Sequence, residues 1–221
     1  MRQFAIVGLS TFGERVGKRL TELGCQVLVV DRDRDRIQEV KNWATEAVVA
    51  DAIDKSVLAA MGLKDVDAVV VSLGEQIDLS ILVTLFLKEL GVRRIVVKGI
   101  TPDHAKVLKL VGADEVIFPE EEMATRVANR LSAPTTVIDQ IELAEGFSIV
   151  EIIAPKPWVG KTLAQLRVRG KHNVEVTLIK RQVPGTDTPR VTIPDPSEEI
   201  GEHDRLLLVG EDSAIAALKK L

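Results

Sequence analysis

The sequence of 221 residues predicts an α/β fold, in which a doubly wound Rossmann sheet of parallel strands is followed by a small α+β domain. Three observations predict it. Short apolar runs alternate with amphipathic segments as far as Pro119, a turn with two glycines follows the first run, and the pattern changes after Pro119. We therefore expect a Rossmann domain at residues 1–133 and a smaller domain at residues 134–221.

Six apolar runs account for the predicted strands of the Rossmann domain. They consist almost entirely of Val, Ile and Ala, which is typical of strands buried on both faces of a parallel sheet. The predicted strands are 4–7, 27–30, 47–50, 68–71, 95–97 and 116–118. Between the first two, residues 12–23 place Val16, Leu20 and Leu23 on one face, as an amphipathic helix does. Strands and helices that alternate in this way predict a parallel sheet covered on both faces.

The segment after Pro119 predicts one further helix and then a different kind of domain. The helix is expected at residues 120–131, and the Ser132-Ala133-Pro134 sequence should end it. Beyond it, strands are predicted at 148–153, 174–179, 190–193 and 205–209, and helices at 162–166 and 213–221. Short loops with several prolines connect these elements, and we expect the 120–131 helix to act as a stiff joint between the domains.

Composition and charge narrow the class of protein. The formal net charge is −4, so there is no basic excess of the kind that indicates a nucleic-acid partner. Cys25 is the only cysteine, which excludes an intramolecular disulfide and fits a reducing cytoplasm. The longest uncharged stretch falls well short of the roughly 18 residues that a membrane-spanning helix needs. If the protein acts at a membrane, we expect it to dock onto an integral membrane partner.

The turn after the first strand has the pattern of a phosphate-binding loop. Gly8, Ser10, Thr11, Phe12 and Gly13 follow the Rossmann fingerprint G-x-G-x-x-G, with Ser10 in place of the middle glycine. The first glycine allows the tight turn, and the third lets helix and strand pack closely. The N-terminus of the following helix offers free amides to an anion. The serine adds bulk but can also donate a hydrogen bond to phosphate.

Residues at the ends of the other strands should line the same crevice, because ligands bind beyond the carboxyl ends of parallel strands. Asp31 ends the second strand, where an acid binds ribose hydroxyls and disfavours the 2′-phosphate of NADP. The other candidates are Arg32, Asp51, Ala52, Ser72, Gly74 and Lys98. Together they predict an adenine-nucleotide site. The alternative is a Rossmann-shaped protein that has lost its ligand, and Lys98 fits a surface lysine equally well.

The sequence lacks the common catalytic patterns. Glu14 stands where a P-loop has its lysine, and the absence of tyrosine excludes a Tyr-Lys pair. None of the three histidines has an acidic partner at a spacing that is typical of a catalytic pair. No His/Cys cluster has metal-ligand spacing. We therefore expect a binding protein and not an enzyme. A small NAD-dependent oxidoreductase, an NAD(H)-binding redox sensor and an adaptor with an empty pocket remain as alternatives.

Five segments resemble the RCK-domain (regulator of potassium conductance) family, most closely its single-RCK, KtrA/TrkA type of regulatory subunit. These segments are FAIVGLSTFG at 4–13, VLVVDRDRDRIQEV at 27–40, ILVTLFLKELGVRRIVVKG at 81–99, GADEVIFPEEEMATRVANRL at 112–131 and VGKTLAQLRVRGKHNVEVTLIKR at 159–181. The individual motifs are short, but their order and their coverage of nearly the whole chain make the resemblance specific. The sequence departs from the family at Ser10 and Thr11, where such proteins often have Gly and Arg, and at Asp33, which is often Asn.

The resemblance implies a function in potassium transport. Proteins of this type form homodimers that assemble into a homo-octameric ring beneath an integral membrane potassium-translocating subunit, at the cytoplasmic face of the cell membrane. Exchange of ATP for ADP, or NAD/NADH binding in some relatives, gates the pore. The resemblance also implies that Glu120 lies near the ligand phosphates and holds a divalent cation such as Mg²⁺.

The resemblance also implies a second ligand in the C-terminal domain. Some members of the family bind cyclic di-AMP there, between two protomers. The matching positions in this sequence are Leu163, Ala164, Arg169 and Pro194. Arg169 is suited to hold a phosphate, whereas Glu175 stands where a neutral polar residue would suit an anion better.

Overall fold

The computed structural model describes residues 1–132, 137–183, 185–186 and 188–218. The chain divides into two compact units, Met1–Glu120 and Glu121–Leu221. The domain boundary predicted between residues 133 and 134 lies outside the described residues and stays a prediction. Within the described ranges, no helix is both long and apolar enough to cross a membrane.

The first unit contains a six-stranded parallel sheet in the order β3-β2-β1-β4-β5-β6. Its strands are β1 (Gln3–Val7), β2 (Gln26–Asp31), β3 (Glu46–Val49), β4 (Ala68–Val71), β5 (Ile95–Lys98) and β6 (Glu115–Ile117). Its helices are α1 (Thr11–Glu22), α2 (Arg34–Val40), α3 (Lys55–Ala60), α4 (Ile77–Glu89) and α5 (Pro102–Val111). This arrangement confirms the predicted doubly wound fold. The strand order reverses between β1 and β4, and such a switch point is where open α/β sheets bind ligands.

Both faces of this sheet are buried. Along β1, Ala5 and Val7 belong to one apolar cluster, and Ile6 between them belongs to another. Side chains alternate between the faces of a strand, so the two clusters lie on opposite faces. Leu87 of α4 completes the first cluster, and Ile37 of α2 completes the second. Burial on both faces is the reason why the strands are continuous apolar runs.

The second unit contains a five-stranded antiparallel sheet in the order β10-β9-β11-β8-β7. Helix α6 (Pro119–Ser132) begins before the boundary between the units. The strands are β7 (Val137–Ala144), β8 (Phe147–Ile153), β9 (Val174–Arg181), β10 (Arg190–Thr192) and β11 (Arg205–Glu211). The helices are α7 (Leu163–Leu166), α8 (Val168–His172) and α9 (Asp212–Leu218). The small α+β domain is therefore confirmed.

Two elements of the second unit were not predicted from the sequence. β7 is an edge strand whose last four residues are all exposed, so it lacks the alternation that marks a half-buried strand. α8 is a single short turn that starts after Arg167, whose φ of 48° is left-handed and ends α7. The predicted end of the last helix, residues 219–221, lies outside the described residues.

Candidate functional site

Two glycines shape the turn between β1 and α1. Gly8 has a φ of 92°, and a Cβ atom there would lie 2.5 Å from the carbonyl oxygen of Ser72 at the end of β4. A Cβ atom on the buried Gly13 would lie 2.4 Å from the carbonyl oxygen of Gly8. Any larger residue would push the backbone apart at both points. The glycines therefore allow the close approach of turn, helix and strand that a phosphate-binding loop requires.

Ser10 takes the place of the middle glycine and is the N-cap of α1. Its hydroxyl accepts a hydrogen bond from the Gly13 amide at 3.4 Å and lies 2.5 Å from the hydroxyl of the buried Ser72. A bond between two hydroxyls uses one proton and leaves the other free. The pair can therefore offer a donor close to the amides that the start of α1 presents to an anion.

Asp31 is fixed at the end of β2 by backbone donors. Its Oδ2 accepts from the Leu9 amide at 2.6 Å, and its Oδ1 accepts from the Asp33 amide at 2.8 Å. Each carboxylate oxygen has room for a second hydrogen bond. The carboxylate is thus held in one orientation and can still accept from the two neighbouring hydroxyls of a ribose.

A crevice of about 540 Å³ lies beyond these strand ends. This volume falls within the range of roughly 300–1,000 Å³ that is usual for small-molecule sites. Nine of the thirteen predicted nucleotide-site residues line it, namely Gly8, Ser10, Thr11, Asp31, Arg32, Asp51, Ala52, Ser72 and Gly74. The fold therefore brings most of the predicted residues together in one cavity.

The other four predicted residues are not among the crevice residues. Phe12 is partly buried and packs against the apolar cluster that contains Ile6. Gly13 is buried beneath the turn. Lys98 ends β5, and its ammonium group bonds the carboxylate of Glu120 in the first turn of α6 at 2.5 Å. The structure therefore gives Phe12 and Gly13 packing positions and pairs Lys98 with Glu120.

Burial differs sharply between the two partners of this ion pair. The Lys98 side chain is 9% exposed, whereas that of Glu120 is 70% exposed. The hydrogen bond from Lys98 lowers the pKa of Glu120, which keeps the carboxylate ionised at neutral pH. Glu75, which lines the crevice, lies 4.0 Å from the same ammonium group. Lys98 thus lies between the crevice and the start of α6.

In the part of the chain that is described, no group of three or more His, Cys, Asp or Glu side chains is arranged to hold a metal ion.

The sequence analysis missed six charged or polar residues that line the crevice, most of them from α2 and from the loop after β4 beyond Gly74. They are Glu14, Asp33, Arg36, Glu39, Glu75 and Gln76. Arg36 donates from Nη1 to the Leu9 carbonyl at 2.9 Å, so the turn between β1 and α1 is held by side chains from both β2 and α2. A signal was present, because positions 33, 36 and 39 lie three apart and share a helix face.

The four residues expected to bind a second ligand lie around α7 and α8. Leu163 packs partly against the core of the second unit. Ala164 is exposed, and its amide donates to the Pro196 carbonyl at 2.8 Å, two residues after the half-buried Pro194. The Arg169 side chain is 87% exposed, and its Nε lies 3.4 Å from Glu175. Such an exposed ion pair is weak, so Arg169 is accessible to an anion.

Two family models match the chain. The model of the TrkA-N domain matches residues 4–119, and the model of the TrkA-C domain matches residues 147–221. The Ktr system potassium uptake protein C of Bacillus subtilis (strain 168) is 39% identical over 219 residues, which cover 99% of this chain and 96% of the relative. The Ktr system potassium uptake protein A of the same strain is 35% identical over 214 residues, which cover 97% of this chain and 94% of the relative.

Solved structures share the fold at lower identity. The crystal structure of the GsuK RCK domain has a TM-score of 0.68 and 20% identity, over 100% of this chain and 47% of that one. The GsuK channel bound to NAD has a TM-score of 0.57 and 22% identity, over 100% of this chain and 38% of that one. This chain therefore spans less than half of each of those longer chains. Domain matches and full-length similarity together show that the chain belongs to the family of potassium uptake proteins with a TrkA-N and a TrkA-C domain, as do the Ktr proteins.

Proposed function

We propose that the protein is a regulatory subunit of a potassium uptake system and that an adenine nucleotide in the Rossmann crevice controls it. The single observation that carries the proposal is the crevice, where the glycine turn and the fixed Asp31 carboxylate meet beyond the strand ends. The similar proteins from Bacillus subtilis are potassium uptake proteins, which supports the part of the proposal that concerns potassium uptake.

Each part of the crevice suits one part of an adenine nucleotide, either ATP/ADP or NAD/NADH. The ribose hydroxyls would bind Asp31, and the phosphates would lie against the amides at the start of α1, beside Ser10. The adenine base would lie near Asp51 and Ala52, which follow β3. This assignment puts the phosphates at the end of the crevice that faces Glu75 and, beyond it, Lys98.

The Lys98–Glu120 pair is the proposed reporter of the bound ligand. A ligand shifts a conformational equilibrium only by its difference in affinity for the two states. ATP and ADP differ in the terminal phosphate and in the cation that it carries, and Mg²⁺ is commonly held by one or two carboxylates together with phosphate oxygens. Glu120 would provide one such carboxylate, and its helix, α6, would carry the change onward.

The proposed assembly follows the family. Homodimers would form a homo-octameric ring that lies in the cytoplasm and docks peripherally on an integral membrane potassium-translocating subunit. Cyclic di-AMP is proposed as a second ligand of the C-terminal unit, at Leu163, Ala164, Arg169 and Pro194. The exposure of Arg169 supports this, and the nearby Glu175 opposes it. Catalysis has no role in the proposal.

Isothermal titration of nucleotide-free protein with ATP, ADP, NAD and NADH, with and without Mg²⁺, tests the proposal. Asp31→Ala should weaken every adenine nucleotide by at least about tenfold, because a hydrogen bond to a charged group contributes roughly 1.5–3 kcal/mol. Asp35→Ala is the matched control, since Asp35 is exposed on the same segment but does not line the crevice. Unchanged affinity in Asp31→Ala, with the variant still folded by thermal melting, would contradict the proposal.

A further inference from the structure

The crevice carries a strong excess of negative charge. Among the described residues that line it, six are carboxylates and two are guanidinium groups, which gives a formal charge of −4. The carboxylates are Glu14, Asp31, Asp33, Glu39, Asp51 and Glu75, and the guanidinium groups are Arg32 and Arg36. Such a lining is unfavourable for a highly anionic ligand.

Both positive charges come from the segment that begins after β2. Arg32 follows Asp31 directly, and Arg36 is on α2. The Arg36 guanidinium already bonds the Leu9 carbonyl at 2.9 Å and lies 3.8 Å from the Asp33 carboxylate. Part of this positive charge is therefore used within the protein.

Carboxylates come from two elements beside the proposed phosphate position, the start of α1 and the loop after β4. Glu14 lies in the first turn of α1, and no ion pair or hydrogen bond joins its carboxylate to another residue of the described chain. Glu75 follows Gly74 and is 80% exposed. Its nearest cation is Lys98, at 4.0 Å, and Lys98 is already bonded to Glu120 at 2.5 Å. One ammonium group thus faces two carboxylates.

Adenine nucleotides differ in how much charge they would bring to this position. ATP ends in a phosphate monoester, a group that carries about −1.5 to −2 charges at pH 7, in addition to its linking phosphates. NAD has no phosphate monoester, and its nicotinamide ring is positively charged. Without a divalent cation, ATP therefore meets far more repulsion from Glu14 and Glu75 than NAD does.

We propose that Glu14 and Glu75 make the crevice selective for a dinucleotide of low charge, such as NAD, over ATP that carries no divalent cation. The inference rests on the proposed function, because it assumes that the crevice binds adenine nucleotides. It concerns discrimination at the phosphate end, whereas Asp31 serves the ribose that both ligands share.

Titration calorimetry in EDTA at low ionic strength tests this selectivity. NAD should bind the native protein at least tenfold more tightly than ATP. The double variant Glu14→Gln, Glu75→Gln should bind ATP about tenfold more tightly than the native protein. An exposed carboxylate several ångströms from a phosphate charge in water weakens binding by roughly threefold, and the variant removes two of them. Its affinity for NAD should change by less than about threefold. Thermal melting checks that the double variant remains folded.

Glu39→Gln is the matched control, because it removes a crevice carboxylate from α2, away from the start of α1 and the loop after β4 in the sequence. It should shift the affinities for ATP and NAD by the same small factor. If ATP binds the native protein as tightly as NAD in EDTA, or if the double variant gains equally for both ligands, the selectivity is refuted while the nucleotide site stands. If neither ligand binds the native protein, the proposed function itself is refuted, and the selectivity with it.

Discussion

Each unit has an ion pair between a lysine or arginine and a carboxylate, and the two pairs are built in opposite ways. In the second unit, Asp204 is 2% exposed and Arg181 is 44% exposed. In the first unit, the cation Lys98 is the buried partner and the carboxylate of Glu120 is exposed. The carboxylate is therefore the buried partner in the second unit, whereas the cation is the buried partner in the first unit.

The hydrogen bonds around the two pairs differ as much as their burial. Arg181 binds both oxygens of Asp204, at 2.8 and 2.6 Å, and Asp204 also accepts from the Gly201 amide at 2.8 Å. Burial alone would raise the pKa of Asp204, but the bonds from Arg181 and Gly201 outweigh it and the pKa lies below its ordinary value. The Glu120 carboxylate has one side-chain partner, Lys98, and is largely exposed to solvent.

These differences in burial and hydrogen bonding indicate in which ion pair a ligand could replace one of the partners. The Arg181–Asp204 pair is fully bonded within the protein, so exchanging a partner would leave a buried charge without compensation. In the Lys98–Glu120 pair the buried group is a cation, so a phosphate oxygen that took the place of the exposed carboxylate would keep its charge compensated. We therefore interpret the first as a structural contact and the second as part of the proposed switch.

The largest expected effect is on the structural pair. Asp204→Ala removes the two hydrogen bonds that Arg181 donates to Asp204 and the acceptor of the Gly201 amide, and should lower the free energy of unfolding by about 2–4 kcal/mol. This estimate is below the full value for a buried pair because Arg181 is partly solvated. Urea unfolding at pH 7 measures the change.

Glu202→Ala is the control for this variant. Glu202 is exposed and lies in the same loop, two residues before Asp204. It should leave the unfolding midpoint unchanged. If the two variants unfold at the same urea concentration, the Arg181–Asp204 pair does not stabilise the unit and the comparison with Lys98–Glu120 fails.

The sequence predicted the parts of the molecule that depend on local pattern. The six parallel strands were found because burial on both faces leaves continuous apolar runs, and Asp31 and Ser72 were found because strand ends share one edge. The two ion pairs were not found as pairs, since their partners lie 22 and 23 residues apart and meet only in the folded chain. β7 was missed because its exposed residues lack an alternating pattern.

A third buried contact, between His104 and Ser80, contains a polar atom that lacks a partner among the described residues. His104 is 3% exposed, its Nε2 lies 2.9 Å from the Ser80 hydroxyl, and its Nδ1 has no partner among the described residues. Burial lowers its pKa below the ordinary value of about 6.5, so the folded protein binds a proton on this ring less readily than the unfolded chain does. The contribution of the neutral His104 ring to the free energy of unfolding should therefore be fully present above about pH 6.5 and decrease as the pH falls below that value.

Melting temperatures at pH 7.5 and 5.5 measure this effect. His104→Leu cannot titrate, so its melting temperature should fall less between these two values than that of the native protein, by roughly 2–4 °C. His203→Gln is the control, because His203 is exposed and its removal should leave the native pH dependence intact. An identical pH dependence in His104→Leu and the native protein would show that the ring is not held neutral by burial.

The smallest expected effect on stability belongs to the proposed switch. Glu120→Gln should lower the free energy of unfolding by less than Asp204→Ala does, because the glutamine side-chain oxygen can still accept a hydrogen bond from the buried Lys98, and Glu75 lies 4.0 Å from the same ammonium group. Its effect should appear in binding instead. With Mg²⁺ present, the difference between the affinities for ATP and ADP should narrow, since the proposed carboxylate ligand of the cation is gone.

Glu121→Gln is the matched control for that titration, because it changes the neighbouring residue of the same helical turn and Glu121 has no bond to Lys98. It should leave the difference between ATP and ADP unchanged. If Glu120→Gln instead weakens ATP and ADP equally, Glu120 merely supports the crevice. If it destabilises the protein as much as Asp204→Ala does, the Lys98–Glu120 pair is structural as well, and its exposed carboxylate is not the reporter of the bound nucleotide.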